Sequence, residues 1–585
     1  MEPSAPRPRA CWTFLLALGA ALVFTWPFAL HPFDLLGHPL GETDNHAWMF
    51  WRALQRIAGA GVLANWPEDL PLPLMDVINL PLAALGAFHP ALSYDFVLVG
   101  NVLLLLGAAW GLARQHVGPR AAWVGMVAVA CSPFISGVME FGITESLPLW
   151  ALVAHLAFLE RLARDGRRRD ALGAGLCLGA FALSGWYDAF FGVVIELCLV
   201  PWYGMCSRRW GLLGAQAALG ALLPLPALLR FLEMREFWRG RWHVPDSVPR
   251  AHLDHWRWLR NYGTDALNLV LPSPEPAPIS HSVYLGLGVL ALAVLGIWAT
   301  RRRALPWAVL ATVFVVLALG HWIRVGGEAL TLSGHPIPGP ARLLVRVVPA
   351  LVGLSHWHRA VGPATVFLGL LAAMGAERLV ARRTGLALGL CGLLLAESIF
   401  LGQTRWPRAH YALEAPPIYA SLGRPGALLE LPFDNGRMPF SQDPPRLYNR
   451  WQMVHGRPVA ESYEGPDAIL ATSRLAAVLD ALCGVEPTRP PFELPPRAMR
   501  DPAPFADPAV LAAEAGALGR AGFAYVVLHR GRAKTPARAE ALLTRAFGAP
   551  RVDLGTWAAW AVEDTTQDPG FDPSSYEKSI RLNDP

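Results

Sequence analysis

The stretch VYLGLGVLALAVLGIWATRRRALPWAVLATVFVVLALGHW, residues 283–322, consists of two apolar runs separated by Arg301, Arg302 and Arg303. Each run is close to the roughly 20 apolar residues that carry a helix across the hydrocarbon core of a bilayer. Short inside loops concentrate Lys and Arg, so three arginines between two such runs belong at a cytoplasmic membrane surface. The passage reads as an antiparallel pair of membrane helices joined by an inside turn.

Working outward, further apolar stretches occur near 11–31, 93–113, 121–138, 146–163, 171–187, 189–205, 210–230, 361–380 and 384–402, which with 283–300 and 304–322 predicts about 11 transmembrane helices. An inside N-terminus then places Arg114 and Arg120, the run Arg161 to Arg169, the pair Arg208–Arg209, the Arg301–Arg303 turn, and Arg378, Arg382 and Arg383 on the cytoplasmic side. Every inside loop is short and basic, as the positive-inside rule requires. Arg7 and Arg9 precede the run Cys11–Leu30, which is nearer 20 residues than the 7–15 of a cleaved signal and reads as a retained signal anchor. Residues 342–360 are apolar but carry Arg342, Arg346, His356, His358 and Arg359, and are expected to lie partly inserted or interfacial on the outer face. Counting that segment as a span would put Arg382–Arg383 outside. The outer segments are then 32–92, 231–282 and 323–360.

Composition agrees. The 585-residue chain is 53% hydrophobic and 16% charged, against about 25% charged for soluble domains. Lys534 and Lys578 are the only lysines, and no basic block is long enough to suggest nucleic acid, so none is expected as a partner. The seven cysteines form no CxxC pair, which argues against a metal cluster or disulfide framework. Beyond about Gly402 the composition becomes that of a soluble domain.

The first outer loop carries Gly41-Glu-Thr-Asp-Asn-His-Ala-Trp-Met-Phe-Trp-Arg. Trp48, Trp51 and Leu54 keep helical spacing while Arg52 and Arg56 lie away from them, which predicts an amphipathic helix at the membrane surface. A second apolar, Pro-bounded segment follows at 77–87. Glu42 and Asp44 stand at the head of that helix, Glu140 and Glu145 bracket the outer turn after the third span, and Asp188 follows Trp186 and Tyr187 at the outer end of the fifth. All face the same side. Carboxylates near hydrocarbon are costly and are retained for a pathway, a partner or chemistry. Each of Glu42, Asp44 and Glu145 can equally cap a following helix; Asp188, among aromatic residues, has no such explanation. Glu42, Asp44 and His46 together allow a divalent cation, Mg2+ or Mn2+. His358 and Arg359, in Ser-His-Trp-His-Arg at 355–359, suit a phosphate, or equally an interfacial anchor.

With one span, then a large outer loop opening on an acidic motif, the chain resembles the GT-C class of membrane glycosyltransferases. It is similar in particular to uncharacterised bacterial GT-C-like proteins, through Ala-Leu-Asn-Leu-Val-Leu-Pro-Ser at 266–273, Tyr-Leu-Gly at 284–286, Arg359-Ala360 and Leu-Glu-Leu-Pro-Phe at 429–433. Relatives often have a more Gly/Asp-rich first-loop motif. The resemblance implies a sugar donor linked to polyprenyl phosphate, transfer of a hexosyl or pentosyl group to an extracytoplasmic acceptor (glycan, lipid or protein), and a first-loop acid as general base. By position that base is Asp44, with Glu42 next. Glu140, Glu145, Asp188, Trp186, Tyr187, Arg260, His358 and Arg359 are the candidate substrate-binding residues. The alternative is a non-catalytic or flippase-like membrane protein of the same architecture serving envelope glycan or lipid assembly; no internal repeat of the transporter kind is visible.

The domain organisation expected is a helical polytopic membrane domain at 1–403, an extracytoplasmic α/β domain at 404–563 and a flexible tail at 564–585. Gly426–Phe433 and Phe523–His529 are strand-like, and Ala509–Ala521 is a helix ending before Gly522. The location expected is the bacterial inner membrane, multi-pass, with a cytoplasmic N-terminus.

Overall fold

The structure is a computed structural model and describes residues 10–39, 41–58, 76–229, 263–272, 283–349, 351, 354, 356–402, 404–432, 447–459, 473–484 and 501–562. The chain divides into one unit of Met1–Leu54 with Leu72–Leu413 and a second of Gln55–Pro71 with Glu414–Pro585.

In the first unit, helices occupy the apolar stretches in chain order: α1 (Ala10–Phe24), α2 (Thr43–Ile57), α3 (Leu80–Leu85), α4 (Pro90–Ala113), α5 (Pro119–Ala130), α6 (Pro133–Phe141), α7 (Leu149–Asp165), α8 (Arg168–Ala182), α9 (Trp186–Ser207), α10 (Trp210–Leu222), α11 (Leu287–Thr300), α12 (Leu305–Ala318), α13 (Pro340–Val347), α14 (Val361–Val380) and α15 (Thr384–Leu401). Among the described residues six helices are long and apolar enough to cross a membrane: Pro90–Ala113, Pro119–Phe141, Thr144–Asp165, Trp186–Ser207, Trp357–Val380 and Thr384–Leu401. The chain is a multi-pass membrane protein.

Local sequence sets the helix ends. Pro90, Pro119 and Pro133 open α4, α5 and α6 at positions where the missing N–H costs nothing. Ser132 caps α6, its hydroxyl accepting from the Ile135 amide at 3.4 Å, so one apolar run becomes two stacked helices. Glu397 reaches from α15 to the start of α11, accepting from the amides of Leu287 (2.6 Å) and Gly288 (3.0 Å) and from the Tyr284 hydroxyl (2.6 Å). A carboxylate there satisfies orphan donors and complements the helix dipole.

Burial sorts the helices. Trp357–Val380 and Pro119–Phe141 are 94% and 100% inside the protein over their most apolar windows, whereas Trp186–Ser207 and Thr384–Leu401 are 33% and 28%. The outer helices expose Leu197, Trp298 and Phe400 at 71%, 62% and 72%, a surface suited to lipid. α14 packs against α5, α11 and α12. At the α11–α14 crossing a Cβ on Gly296 would collide with the Leu371 carbonyl oxygen, and one on Gly375 with that of Leu292. Small residues let two backbones approach in this way.

Outside the spans, strand β1 (Asp34–Leu36) pairs antiparallel with β6 (His410–Ala412), joining the segment after α1 to the one after α15. Between α12 and α13 lie two short hairpins, β2–β3 and β4–β5, within Arg324–Pro336. The 342–360 segment is not one interfacial stretch: Arg342 lies 4.0 Å over the Trp322 ring at α13, while Trp357–Ala360 winds directly into α14 with Trp357 fully buried.

The second unit holds a mixed sheet ordered β7 (Ala427–Leu431), β8 (Phe523–His529), β10 (Trp557–Ala561), β9 (Val552–Asp553), with β7 and β8 parallel and the rest antiparallel. α17 (Arg474–Leu482), α18 (Pro508–Arg520) and α19 (Pro536–Phe547) pack on one face, and Ile418, Tyr419, Tyr448 and Trp451, the last two from α16 (Leu447–His455), on the other. Glu430 and His529 meet between β7 and β8 at 2.7 Å, both fully buried. The polar tail after Glu563 lies outside the described residues.

The Gly375→Val variant is expected to drive α11 and α14 apart and to destabilise the membrane unit by roughly 1–3 kcal/mol or more. Thermal unfolding of detergent-solubilised protein checks this; Gly385→Val, at a position with open space around it, is the control.

Candidate functional site

α2 begins on a fixed floor. The Glu42 amide donates to the Phe141 carbonyl at 2.6 Å, and Gly142, at φ +72°, lies so close that a Cβ there would strike the Thr43 backbone nitrogen. That packing buries α2 from Thr43 to Ala53, apart from half-buried Met49, with Arg52 against the Trp48 ring at 5.3 Å. The helix expected to lie on the membrane surface, with Arg52 and Arg56 away from its Trp face, is instead built into the protein along most of its length.

Helical geometry then divides the first-loop acids. Glu42 and His46 are four residues apart and share a face, whereas Asp44 and His46, two apart, do not. The Asp44 carboxylate is buried and accepts from the Tyr411 hydroxyl at 2.8 Å. Glu42 stays 38% exposed, with Oε2 3.4 Å from His46 Nε2. Among the described residues the donor atoms of Glu42, Asp44 and His46 are not a group lying within 4.8 Å of one another.

His46 is the hub of what does converge. Its Nε2 lies 3.4 Å from both Glu42 Oε2 and Glu145 Oε2. Its Nδ1 is 2.7 Å from Thr144 Oγ1 and 3.6 Å from Asp76 Oδ2. The Thr144 hydroxyl gives its own proton to Asp76, so its oxygen accepts from Nδ1–H. With Nε2 facing two carboxylates, both ring nitrogens carry protons. Burial alone would push the His46 pKa down, but Glu145, Asp76 and Glu42 outweigh it and raise it to about 10. Asp76 is pushed up by burial, with Glu145 adding to the shift and His46 opposing it. Behind them a polar ladder continues: Asn79 donates to Asp76 (2.5 Å) and to the Thr144 carbonyl (3.1 Å), Asn101 to Asn79 (2.7 Å) and Trp150 to Asn101 (3.0 Å).

Arg359 closes the other side. Its Nη2 is 2.8 Å from Glu145 Oε1, and its guanidinium lies 4.8 Å over the Tyr187 ring. Its Nε is buried and donates to nothing among the described residues. Tyr187 OH accepts from the His356 amide at 3.0 Å and meets His356 Nδ1 at 3.0 Å. Burial, then the charges of Arg359 and His358, holds His356 well below its ordinary pKa, which suits Nδ1 as the acceptor of the tyrosine proton. Asp188 and Glu145 flank Gly185: a Cβ on that glycine would lie 3.4 Å from Asp188 Oδ2 and 3.7 Å from Glu145 Cγ. Trp186, half-buried, opens α9 beside them, and His358 is buried with its ring 5.7 Å from that of His356.

The structure thus brings together Glu42, His46, Glu145, Asp188, Tyr187 and Arg359. Glu140 stands apart, facing Arg408 and Arg405, and Arg408 is tied to the carbonyls of Phe24 (2.7 Å) and Ser136 (3.1 Å). Arg260 lies outside the described residues. Asp76, Thr144, Asn79 and Asn101 were missed; the signal for Asp76 and Asn79 was two polar side chains at the head of the apolar 77–87 segment. Arg359, weighed against an interfacial anchor, is a buried ion-pair partner.

No protein-family model and no curated protein matches the chain. Solved structures similar to it include the arabinofuranosyltransferase AftD from Mycobacteria, at 15% identity and a TM-score of 0.47 over 96% of this chain and 40% of that one. Others are ArnT from Cupriavidus metallidurans bound to undecaprenyl phosphate (14%, TM-score 0.42, 95% of this chain and 99% of that one), and the oligosaccharyltransferase AglB from Archaeoglobus fulgidus with an inhibitory peptide and a dolichol-phosphate (11%, 0.41, 92% and 71%). Scores this low leave the site to be read from its own geometry.

Because the His46 pKa is about 10 when folded and 6.5 as a free side chain, folding retains a proton between those values. The stabilisation is complete below pH 6.5 and is lost as pH rises through about 10. Thermal midpoints of the wild type should fall across this window, and those of His46→Gln should fall less; parallel profiles would remove the imidazolium from the site.

Proposed function

We propose that the chain is a membrane glycosyltransferase that moves a sugar from a polyprenyl-phosphate-linked donor to an extracytoplasmic acceptor. The observation that carries this reading is the meeting of a partly open carboxylate, Glu42, with a buried guanidinium that keeps one donor in reserve, Arg359 Nε, across His46 and Glu145. Such a donor brings its own leaving group. The protein has to remove one proton and stabilise one departing phosphate.

In the step proposed, the acceptor oxygen forms a bond to the anomeric carbon, its proton passes to Glu42, and the bond from that carbon to the phosphate oxygen breaks. The phosphate leaves with the electron pair, facing Arg359, whose planar fork suits it. His46 and Glu145 hold these two groups in place. Asp44, the base by positional resemblance, is buried against Tyr411 and is assigned a positioning role on α2. No step is routed through a metal.

In the topology proposed, the inner membrane of a bacterium holds the spans, the N-terminus lies inside, and the site and the C-terminal α/β domain lie outside. Transport remains the second reading, favoured by one observation. Inside the spans Glu196 accepts from Gln216 at 2.5 Å and meets His155 at 2.9 Å, and ionisable groups at that depth often mark proton paths.

Membranes supplied with polyprenyl-phosphate sugars should show transfer that falls about 10²–10⁴-fold in Glu42→Gln and much less in Asp44→Asn or Glu196→Gln. A dead Asp44→Asn beside an active Glu42→Gln would return the base to Asp44. Wild-type membranes without transfer, in which Glu196→Gln slows movement of a lipid or glycan across the bilayer, would favour transport.

A further inference from the structure

Away from this site, His31, Asp34 and His410 converge in the first unit. Their donor atoms all lie within 4.8 Å of one another, with Asp34 Oδ2 3.3 Å from His31 Nδ1 and 3.9 Å from His410 Nε2. His31 and Asp34 share one turn, the Asp34 amide donating to the His31 carbonyl at 3.2 Å. His410 arrives from the far end of the chain. β1 pairs Asp34 with Ala412, so His410, two residues back, is its diagonal neighbour on the same face of the ribbon. The two imidazole rings stand 4.2 Å apart and tilted by 35°.

His410 Nδ1 lies 3.4 Å from the Arg408 carbonyl, which can only accept, so a hydrogen on Nδ1 leaves Nε2 as the nitrogen available to a cation on the Asp34 side. A backbone carbonyl holding the second nitrogen is the usual support of a metal-bound histidine. A tetrahedral cation with bonds of about 2.0–2.1 Å keeps its ligand atoms roughly 3.3 Å apart. The three donors already lie within 4.8 Å of one another, two of them at 3.3 Å. Two imidazoles and one carboxylate select a borderline cation such as Zn2+ over Mg2+ or Ca2+, which prefer oxygen throughout.

We propose that His31, Asp34 and His410 bind one zinc-type divalent cation that clamps the β1–β6 ribbon. The clamp closes a loop of more than 370 residues and fixes the strand on which Tyr411, next to His410, holds Asp44. The ion is structural, and the inference stands whether or not the chain transfers sugars.

The test uses the purified full chain in detergent, stripped with a chelator and titrated with Zn2+. The expected result is one Zn2+ per chain, a rise in thermal midpoint on binding, and a visible tetrahedral spectrum when Co2+ replaces it. His410→Ala, His31→Ala and Asp34→Asn should each weaken binding roughly tenfold or more and abolish the midpoint rise. If His410→Ala fails to fold, His31→Ala, at an exposed position, still tests the same donor set. The proposal is overturned if the wild type takes up no stoichiometric Zn2+, or if His31→Ala and Asp34→Asn bind it as the wild type does.

Discussion

The ion pair between Glu145 and Arg359 governs the arrangement of one end of the membrane unit. Both side chains are largely buried, at 9% and 13% exposure, where an isolated charge would be costly. Each therefore needs its partner, and each partner sits on a different part of the chain: Glu145 at the head of the α7 span, Arg359 at the entry to α14. Holding these two together fixes how the central helix meets its neighbour. It also draws in everything else that carries charge nearby. His46 bridges from the first loop to Glu145, and Tyr187 spreads its ring under the guanidinium.

Burial on this scale leaves an excess of carboxyl groups over cations. Glu42, Asp76, Glu145 and Asp188 face Arg359 and one imidazolium. Burial pushes the Asp76 pKa up, and the hydrogen bonds it accepts from Thr144 and Asn79 favour the carboxylate against that push. The region is a polar pocket wall in an otherwise apolar unit, made tolerable because every member leans on another. The proposed chemistry acts where Glu42, the most open member, stands across His46 and Glu145 from the buried Arg359.

The rest of the unit serves that wall by exclusion. Glycine contacts between α11 and α14 bring the central helices close, and outer helices such as α9 and α15 turn leucine, valine and phenylalanine to lipid. The same α9 that is mostly lipid-facing along its length presents Trp186, Tyr187 and Asp188 in its first turn, so one element serves both the bilayer and the site.

What the amino-acid sequence determined by itself was everything that depends on period and run length. The apolar stretches, the arginine-rich turns, the helix at Thr43–Ile57, and the strands around Leu429 and Val526 follow from local pattern, because hydrophobic burial and backbone hydrogen bonding act over neighbouring residues. The four-residue spacing of Glu42 and His46 already put them on one face. The partners of those residues were decided by tertiary structure alone. Nothing local tells that Asp44 meets Tyr411 367 residues away, that Asp76 shares Thr144 with His46, or that Arg359 pairs with Glu145 rather than with lipid headgroups. A carboxylate attracts any cation that reaches it, and which one reaches it is settled by how the helices pack.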